Sequence, residues 1–515
     1  MIYSSIERAW RWGCAVAIMG VSVCTQASAQ SLAEMASQGV GKTYYVAANG
    51  NNANPGTLAL PWRTIQYAAD AVTAGGTVYV RGGVYNEQVK IRRSGSAAGG
   101  YLTFRSYPGE VASVSGKGLS PGGQSGLIDI ANQSYVIVQG FDIGGFTTAS
   151  SSNVPVGIFI TGAGTNIQIL GNHVHNITTT VTSASGNALG VAVYGTNGAA
   201  PIGNLVISGN EVDHLKTGQS ESVTINGNVQ NFQVTNNQVH DNNNIGIDAI
   251  GFEGTSPVAS TDQARDGVIS GNLVYNITSA KNPAYGGSLG ADGIYVDGGT
   301  RITVERNVIH HADIGIELAS EHKGKVTSEV TARSNIVYDS YMVGVTIGGY
   351  AATVGGTDRC AIVNNTLCNN DINSTGSGEF QIQYHATNNI FDNNIVSAGA
   401  QGLFVNSFTR SAAAPATLAN NLYYSAVGAA SGEWLWNGVT WTGFSAFQIG
   451  TKNDSASKFA SPQFVNAAAL DFRVAATSPA VGAGVNLGTT LEGLLDIAGA
   501  PRVRGANIDV GAYEQ

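Results

Sequence analysis

The sequence predicts an all-β chain wound as a right-handed parallel β-helix with an N-terminal helical cap. Three observations carry this. The composition is that of a β-rich repeat, with 68 Gly, only 11% charged residues and abundant Asn, Val, Ile and Thr. A short unit recurs from about residue 150. The opening of the chain reads as a cap for an open-ended solenoid. A length that would ordinarily suggest several domains is then one long stack of coils.

The recurring unit is Val/Ile-x-x-Asn-x-Val-(Tyr/His), a polar turn, then Gly-Ile-x-Val/Ile. Its copies centre on Asn172, Asn210, Asn237, Asn272, Asn307, Asn335, Asn365 and Asn394, at steps of 27 to 38 residues. The shorter steps suit one coil of three short strands, and the longer ones a coil with an inserted loop. Alternating apolar residues put one face of each strand inward. The repeated Asn can hydrogen-bond its copies in the coils above and below, and it tolerates the left-handed backbone of a tight corner.

Before the repeat, KTYYVAANGNNANPGTLALPWRTIQYAADAVTAGGTVYVRGGVYNE reads as strand, loop, short amphipathic helix, strand, turn, strand. Such a helix covers the open hydrophobic end of a solenoid. After the repeat, the stretch from about 409 to 460 is irregular and carries Trp434, Trp436 and Trp441. Packing against a terminal coil is the favoured reading of these aromatics, and sugar stacking the alternative. The expected organisation is a signal peptide over 1–29, the capped β-helix over 42–410, and terminal coils with an irregular tail closing the solenoid over 411–515.

The leader is read from Arg8 and Arg11, a short apolar run from Gly13 to Cys24, and the small residues Ala27-Ser28-Ala29. The run is too short to span a bilayer. A lipoprotein site at Cys24 is less favoured, because Val23 is a poor residue before such a cysteine. The expected location is secreted or periplasmic, with no membrane span and a monomeric chain. Removing the leader takes the formal charge from −9 to about −10, which argues against nucleic acid as a partner. It leaves sugars open. Of the cysteines, Cys360 and Cys368 remain. They either pair in an oxidising compartment or sit as small buried residues in adjacent turns. They do not make a zinc site.

Aligning the strand after each turn gives an outward column of Phe159, Ala192, Thr224, Asp248, Tyr295, Glu317, Thr346, Gln381 and Phe404. Coils lie about 4.8 Å apart, so Asp248, Tyr295 and Glu317 should stack at mid-helix. Asp297 lies one outward step beyond Tyr295, and Asp292 at the corner before it. Stacked carboxylates repel, and something must offset that: a cation, a shared proton or a substrate. A solvated face with scattered acids is the plain alternative. The same coils carry long insertions, FEGTSPVASTDQARDG and SAKNPAYGGSLGAD, of the kind that build clefts on rigid scaffolds.

The stretch GIYVDGGTRITVERNVIHHADIGIELASEHKGK is similar to the catalytic coils of the β-helical β-xylosidases of glycoside hydrolase family 120. Other β-helix hydrolases, family 141 among them, share its general features. The opening and the tail SPAVGAGVNLG…DIAGAPRVRGANIDVGAYEQ resemble segments of secreted, pectin-lyase-like β-helix proteins. The family 120 resemblance implies Asp297 as nucleophile, Glu317 as acid/base and His322 as a substrate or orienting group. The sequence departs from that family by carrying Gly298 where an aromatic follows the Asp. A retaining glycosidase needs two carboxyls about 5 Å apart, which adjacent coils supply. Asp248, about 10 Å from Glu317 by strand spacing, suits an inverting pair instead. The catalytic residues expected are Asp297, Glu317 and Asp248. Asp292, Tyr295, His322, Glu253, Glu321, Arg265 and Lys323 are expected to bind substrate, a poly- or oligosaccharide. This reaction needs no cofactor or metal. The alternative is a uronate lyase, with Ca²⁺ on Asp248, Asp292 and Asp297 and Arg265, Lys323 or Arg301 as base. Against it, the aligned face bears no basic residue. A non-catalytic carbohydrate-binding or adhesion solenoid fits the export and the tail but leaves the acidic ladder unexplained.

Overall fold

The computed structural model describes residues 41–410, 414–505 and 507–515. The expected leader therefore lies outside the described residues. The chain winds through three sheets of 16, 13 and 13 strands, parallel between neighbouring coils except for the antiparallel hairpin strand that ends the second. The first sheet starts at Thr43–Val46, the second at Val89–Ile91 and the third at Gly83–Tyr85. This is the all-β parallel β-helix that the repeat predicts. No described helix is long and apolar enough to cross a membrane.

The core is the solenoid's interior. Ile158, Ile247, Ile294, Ile316, Val345 and Ile382 are all fully buried, as the alternation requires. Each such side chain contributes about 1.5–3 kcal/mol of burial. The first end is closed by the helix Ile65–Ala71, whose Ile65, Ala68 and Ala69 face the core. Its free amides are satisfied at the start: Thr64 Oγ1 accepts from Tyr67 N, and the Glu87 carboxylate accepts from Ile65 N and Gln66 N.

The asparagines form one continuous buried ladder. Each side-chain amide donates to the Oδ1 of the next Asn, from Asn172 through Asn210, Asn237, Asn272, Asn307, Asn335, Asn365 and Asn394 to a ninth member, Asn421. Each also donates to a backbone carbonyl, such as Asn272 Nδ2 to Val234 O at 2.9 Å. The left-handed corner is not at these asparagines but one residue earlier: Gly171, Gly209, Asn236, Gly271, Arg306, Ser334, Asn364, Asn393 and Asn420 have φ between 52° and 67°. The ladder Asn itself turns inward and replaces water for the corner's amides.

At the far end Trp434 is fully buried and stacks on Phe404 and Phe447, while Trp436 and Trp441 pack against the same core. Packing is thus what these aromatics do. The hairpin Glu433–Trp436/Val439–Thr442 and the helix Phe444–Thr451 close this end. The remaining tail folds back along the outside of earlier coils. Phe472 meets Tyr338, and Ala512 N donates to Thr366 Oγ1. Cys360 and Cys368 are free thiols. They stand in one coil on different sheets, not in adjacent turns, and burial pushes both thiols up to about 12.

Candidate active site

The candidate site lies on the outer face of the second sheet, on the strands Val223–Gly227, Ile247–Ile250, Asp292–Asp297, Ile314–Ala319 and Val343–Gly348. The register pairs Thr224 with Asp248, Asp248 with Tyr295, Tyr295 with Glu317, Glu317 with Thr346, and Thr346 with Gln381. The outward column is therefore as the repeat predicts over these coils. It fails at its last member. Gln381 pairs with Asn406, and Phe404 points into the core at a register shift between Leu403 and Val405.

The side chains of Asp248, Asp297 and Glu317 were expected to face solvent in one groove, and they are nearly closed off from it. Asp248, Asp292, Asp297 and Glu317 are only 3%, 2%, 4% and 6% exposed, although their strand neighbours Ile247, Ile294, Val296 and Ile316 take the core positions. They point away from the core but lie at the bottom of a roofed cleft. The roof is made by the inserted loops. In the loop after Ile250, the Asp262 carboxylate accepts from Gly254 N and Ser256 N. The loop before Asp292 is tied down by Asp313, whose Oδ2 accepts from the amides of Ser279, Gly290 and Ala291. A third loop, after Ala319, brings Glu321 and His322 over the strand ends.

These loops bring acids together. His322 Nε2 lies 3.0 Å from Glu253 Oε1. Ligating atoms of Glu253, Asp297 and His322 lie within 4.8 Å of one another. Asp297 Oδ1 accepts from Glu321 N at 2.8 Å. Gly298 has φ +74°, and a Cβ there would meet the Phe252 ring at 2.8 Å. The aromatic missing after Asp297 is thus replaced by one reaching across from the previous coil. Tyr295, between Asp248 and Glu317 in the column, packs with Ile245 and Ala319 and keeps those two carboxyls apart.

Burial without matching cations shifts Asp248, Asp292, Asp297, Glu317 and Glu321 upward. Burial raises Glu317 to about 7, and its contact with the Asp292 carboxyl opposes the rise. Asp292 is held well above the usual range by burial and by the neighbouring Glu317. Asp248 is raised by burial, then by Glu221 and Asp297. Asp297 is raised by burial and Glu321, but the Glu321 amide favours its ionised form. Neither Asp248 Oδ1 nor Asp292 Oδ1 has any hydrogen-bond partner among the described residues.

Sequence reasoning missed Glu221. Burial lifts it to about 7, the Thr224 hydroxyl donates to it at 2.9 Å, and its charge acts on Asp248. It stands directly before Ser-Val-Thr-Ile, as Asp292 stands before Gly-Ile-Tyr-Val. That shared offset was the available signal. Tyr194 and Tyr285 were missed as well; charges of the cluster act on both hydroxyls, and burial pushes Tyr285 up to about 12. Arg265, expected to bind substrate, is not brought to the cleft. It belongs to the first sheet, where it donates to Asn228 Oδ1, Gln230 Oε1 and Gln263 O. Arg301 pairs with Asp266 there. Lys323 is exposed on the third loop, and Lys325 lies over the Phe252 ring at 5.0 Å.

A family model described as a right handed beta helix region matches residues 156–367. With the sheet geometry, this makes the chain a right-handed parallel β-helix protein of pectin-lyase-like architecture. It is 38% identical over 445 residues to the uncharacterized protein YwoF of Bacillus subtilis, covering 86% of this chain and 93% of that one, and it belongs to the same family. A shorter likeness, 32% identity over 139 residues, is to pectate lyase PEL9 of Emericella nidulans. It spans 26% of this chain and 32% of that protein. Among solved structures, pectate lyase Pel9A aligns at a TM-score of 0.49 and 14% identity over 92% of this chain and 96% of that one. XylC in complex with xylose aligns at 0.49 and 10% over 92% and 98%.

Proposed function

We propose that this cleft hydrolyses glycosidic bonds of an extracellular poly- or oligosaccharide by a retaining mechanism, with Asp297 as nucleophile and Glu317 as acid/base. The observation that carries the reading is an asymmetry within one acidic cluster. Asp297 accepts a backbone N–H that favours its anion. Glu317 is raised to about 7 beside a second carboxyl and holds its proton near neutrality. Burial raises both carboxyls, and the Glu321 amide on Asp297 alone marks which of them favours the anion, the division that nucleophile and acid require.

In this mechanism Asp297 attacks the anomeric carbon while Glu317 gives its proton to the departing glycosidic oxygen. The sugar is then held as an ester on Asp297. Glu317, now ionised, takes a proton from water, the water attacks the same carbon, and the Asp297 carboxylate leaves. Asp297 stands diagonally to Glu317, one strand and two residues away. Such diagonal Cα atoms are about 7–8 Å apart. Asp292 stands beside Glu317 and influences its titration. Asp248, Glu221 and Tyr295 line the floor on the side of the preceding coils, where a neighbouring sugar would lie. Glu253, Glu321 and His322 form the rim. The test is the Asp297→Asn variant, which should lose nearly all release of new reducing ends while remaining folded. Turnover near the wild-type rate would reject Asp297 as nucleophile.

The second reading is a cation-dependent polysaccharide lyase, favoured by the local likeness to PEL9 and by the convergence of Glu253, Asp297 and His322. The unpartnered oxygens of Asp248 and Asp292 also suit a hard cation such as Ca²⁺. Bound there, the cation would neutralise a uronate carboxylate. A base would then have to come from Lys323 or Lys325, since Arg265 and Arg301 are committed to the first sheet. The two readings separate on products: unsaturated ends for the lyase, saturated reducing ends for the hydrolase.

A further inference from the structure

The third sheet carries a second cluster, on its outer face and apart from the cleft. Strand Phe141–Gly144 pairs with His173–His175, and that with Glu211–Asp213 and then Gln238–Asn242. Ile143, Val174, Val212 and Val239 point inward and are fully buried. The outward positions are then fixed by parity. One column reads Asp142, His173, Glu211; its neighbour reads Gly144, His175, Asp213, His240. Half of the chain's eight histidines, counting His214, fall in this patch.

The side chains converge tightly. His175 Nε2 lies 2.9 Å and His173 Nδ1 lies 3.4 Å from the same oxygen, Asp142 Oδ1. With zinc–ligand bonds of about 2.0–2.1 Å, the ligand-to-ligand edge of a tetrahedron is about 3.3 Å. Both observed separations are close to that edge, before any rearrangement. Gly144 makes room for this: a Cβ there would meet the His175 ring at 2.9–3.0 Å. The far nitrogens are also engaged. His173 Nε2 reaches Asp213 Oδ1 at 3.1 Å, and the Asn176 side-chain amide lies 2.7 Å from His175 Nδ1, where turning the amide over would let its Oδ1 accept Nδ1–H and leave Nε2 free to ligate. Outer partners of this kind fix the tautomer and orientation of ligating imidazoles.

Ion pairing between protonated histidines and the acids is the competing account, and the geometry argues against it. The His173 and His175 rings stack at 4.4 Å with planes 24° apart. Two imidazolium cations stacked at that distance repel each other, whereas a divalent ion on the two near nitrogens and the shared oxygen compensates Asp142 without that repulsion; Glu211 and Asp213 also face His240.

We propose that Asp142, His173 and His175 bind one divalent transition-metal ion of zinc-like preference, with Asp213 as the positioning residue behind His173. Two imidazoles and one carboxylate suit zinc, cobalt or nickel and do not suit calcium. Three protein ligands leave a further position for water.

The test uses the full chain, stripped with a chelator and titrated with Zn²⁺ by calorimetry and with Co²⁺ by visible absorption. One equivalent of Zn²⁺ should bind, and Co²⁺ should develop the absorption of a low-symmetry, four- or five-coordinate site. His175→Ala should abolish both. Asp213→Asn should weaken binding about 10–100-fold, as loss of an outer partner does. His322→Ala, in the cleft, should leave this site unchanged. Should His175→Ala unfold, as judged by circular dichroism, the cobalt spectrum of the wild type and the Asp213→Asn shift decide alone. No stoichiometric zinc binding, or binding that survives His175→Ala or moves with His322→Ala, would overturn the proposal.

Discussion

Glu317→Gln should make the protein more stable in alkaline solution while removing its activity. Glu317 is raised from an ordinary value of 4.5 to about 7 by burial. Between those two pH values the folded chain holds a proton that the unfolded chain has released, so stability falls as pH rises. The cost is absent below about 4.5 and complete above about 7. A shift of that size is worth about 3 kcal/mol at 1.36 kcal/mol per unit. Glutamine keeps the shape, never ionises, and can donate an N–H to the neighbouring Asp292. For a chain of this length the unfolding entropy is roughly 1 kcal/mol per kelvin, so the variant should melt about 3 °C higher at pH 8.5 and at the wild-type temperature at pH 4.5. Thermal unfolding followed by circular dichroism at the two pH values reads this directly. A variant less stable than wild type at pH 8.5, or equally shifted at both, would show that Glu317 is not a strained acid, and the reasoning about its proton would fail.

Three further outcomes follow from the same geometry. Turnover on substrates with poor leaving groups should decline as pH rises through about 7, because Glu317 must be protonated to donate; a rate that keeps rising to pH 9 would contradict this. Asn272→Ala should destabilise by about 2–4 kcal/mol, since it strands the Asn237 amides and Val234 O that it now partners; a change under 1 kcal/mol would mean that water replaces the ladder. Glu253→Gln and His322→Ala break one contact across the cleft rim, so both should raise KM more than they lower kcat, measured on an oligosaccharide series.

The solenoid was legible because its signal repeats. Alternation fixed Ile247, Ile294 and Ile316 as core, and the Gly-Ile-x-Val unit set the register from Phe159 to Gln381 correctly. Phe404 broke it because its strand pairs Asn406 with Gln381 and is irregular between Leu403 and Val405, which no local pattern reports. The acidic column was legible for the same reason as the core: Asp248, Tyr295 and Glu317 are neighbours by period alone. What lies over the column was not legible. The roof is aperiodic and is held by single carboxylates, Asp262 and Asp313, gathering loop amides. Arg265 was misplaced because a residue at the end of an insertion can enter either adjoining sheet, and here it continues into the first. Glu221 sat in a legible position and was overlooked, because only the strand residues were aligned and not the corner before them.

The most direct measurement is product analysis on wild type and Asp297→Asn across xylan, arabinan and polygalacturonate, with and without added Ca²⁺. The account predicts new saturated reducing ends from at least one polymer, formed with retention at the anomeric carbon. It predicts no unsaturated product, little effect of a chelator, and an Asp297→Asn variant that stays inactive whatever the calcium concentration. Unsaturated uronate ends that vanish with chelator, together with partial recovery of Asp297→Asn in excess calcium, would contradict it.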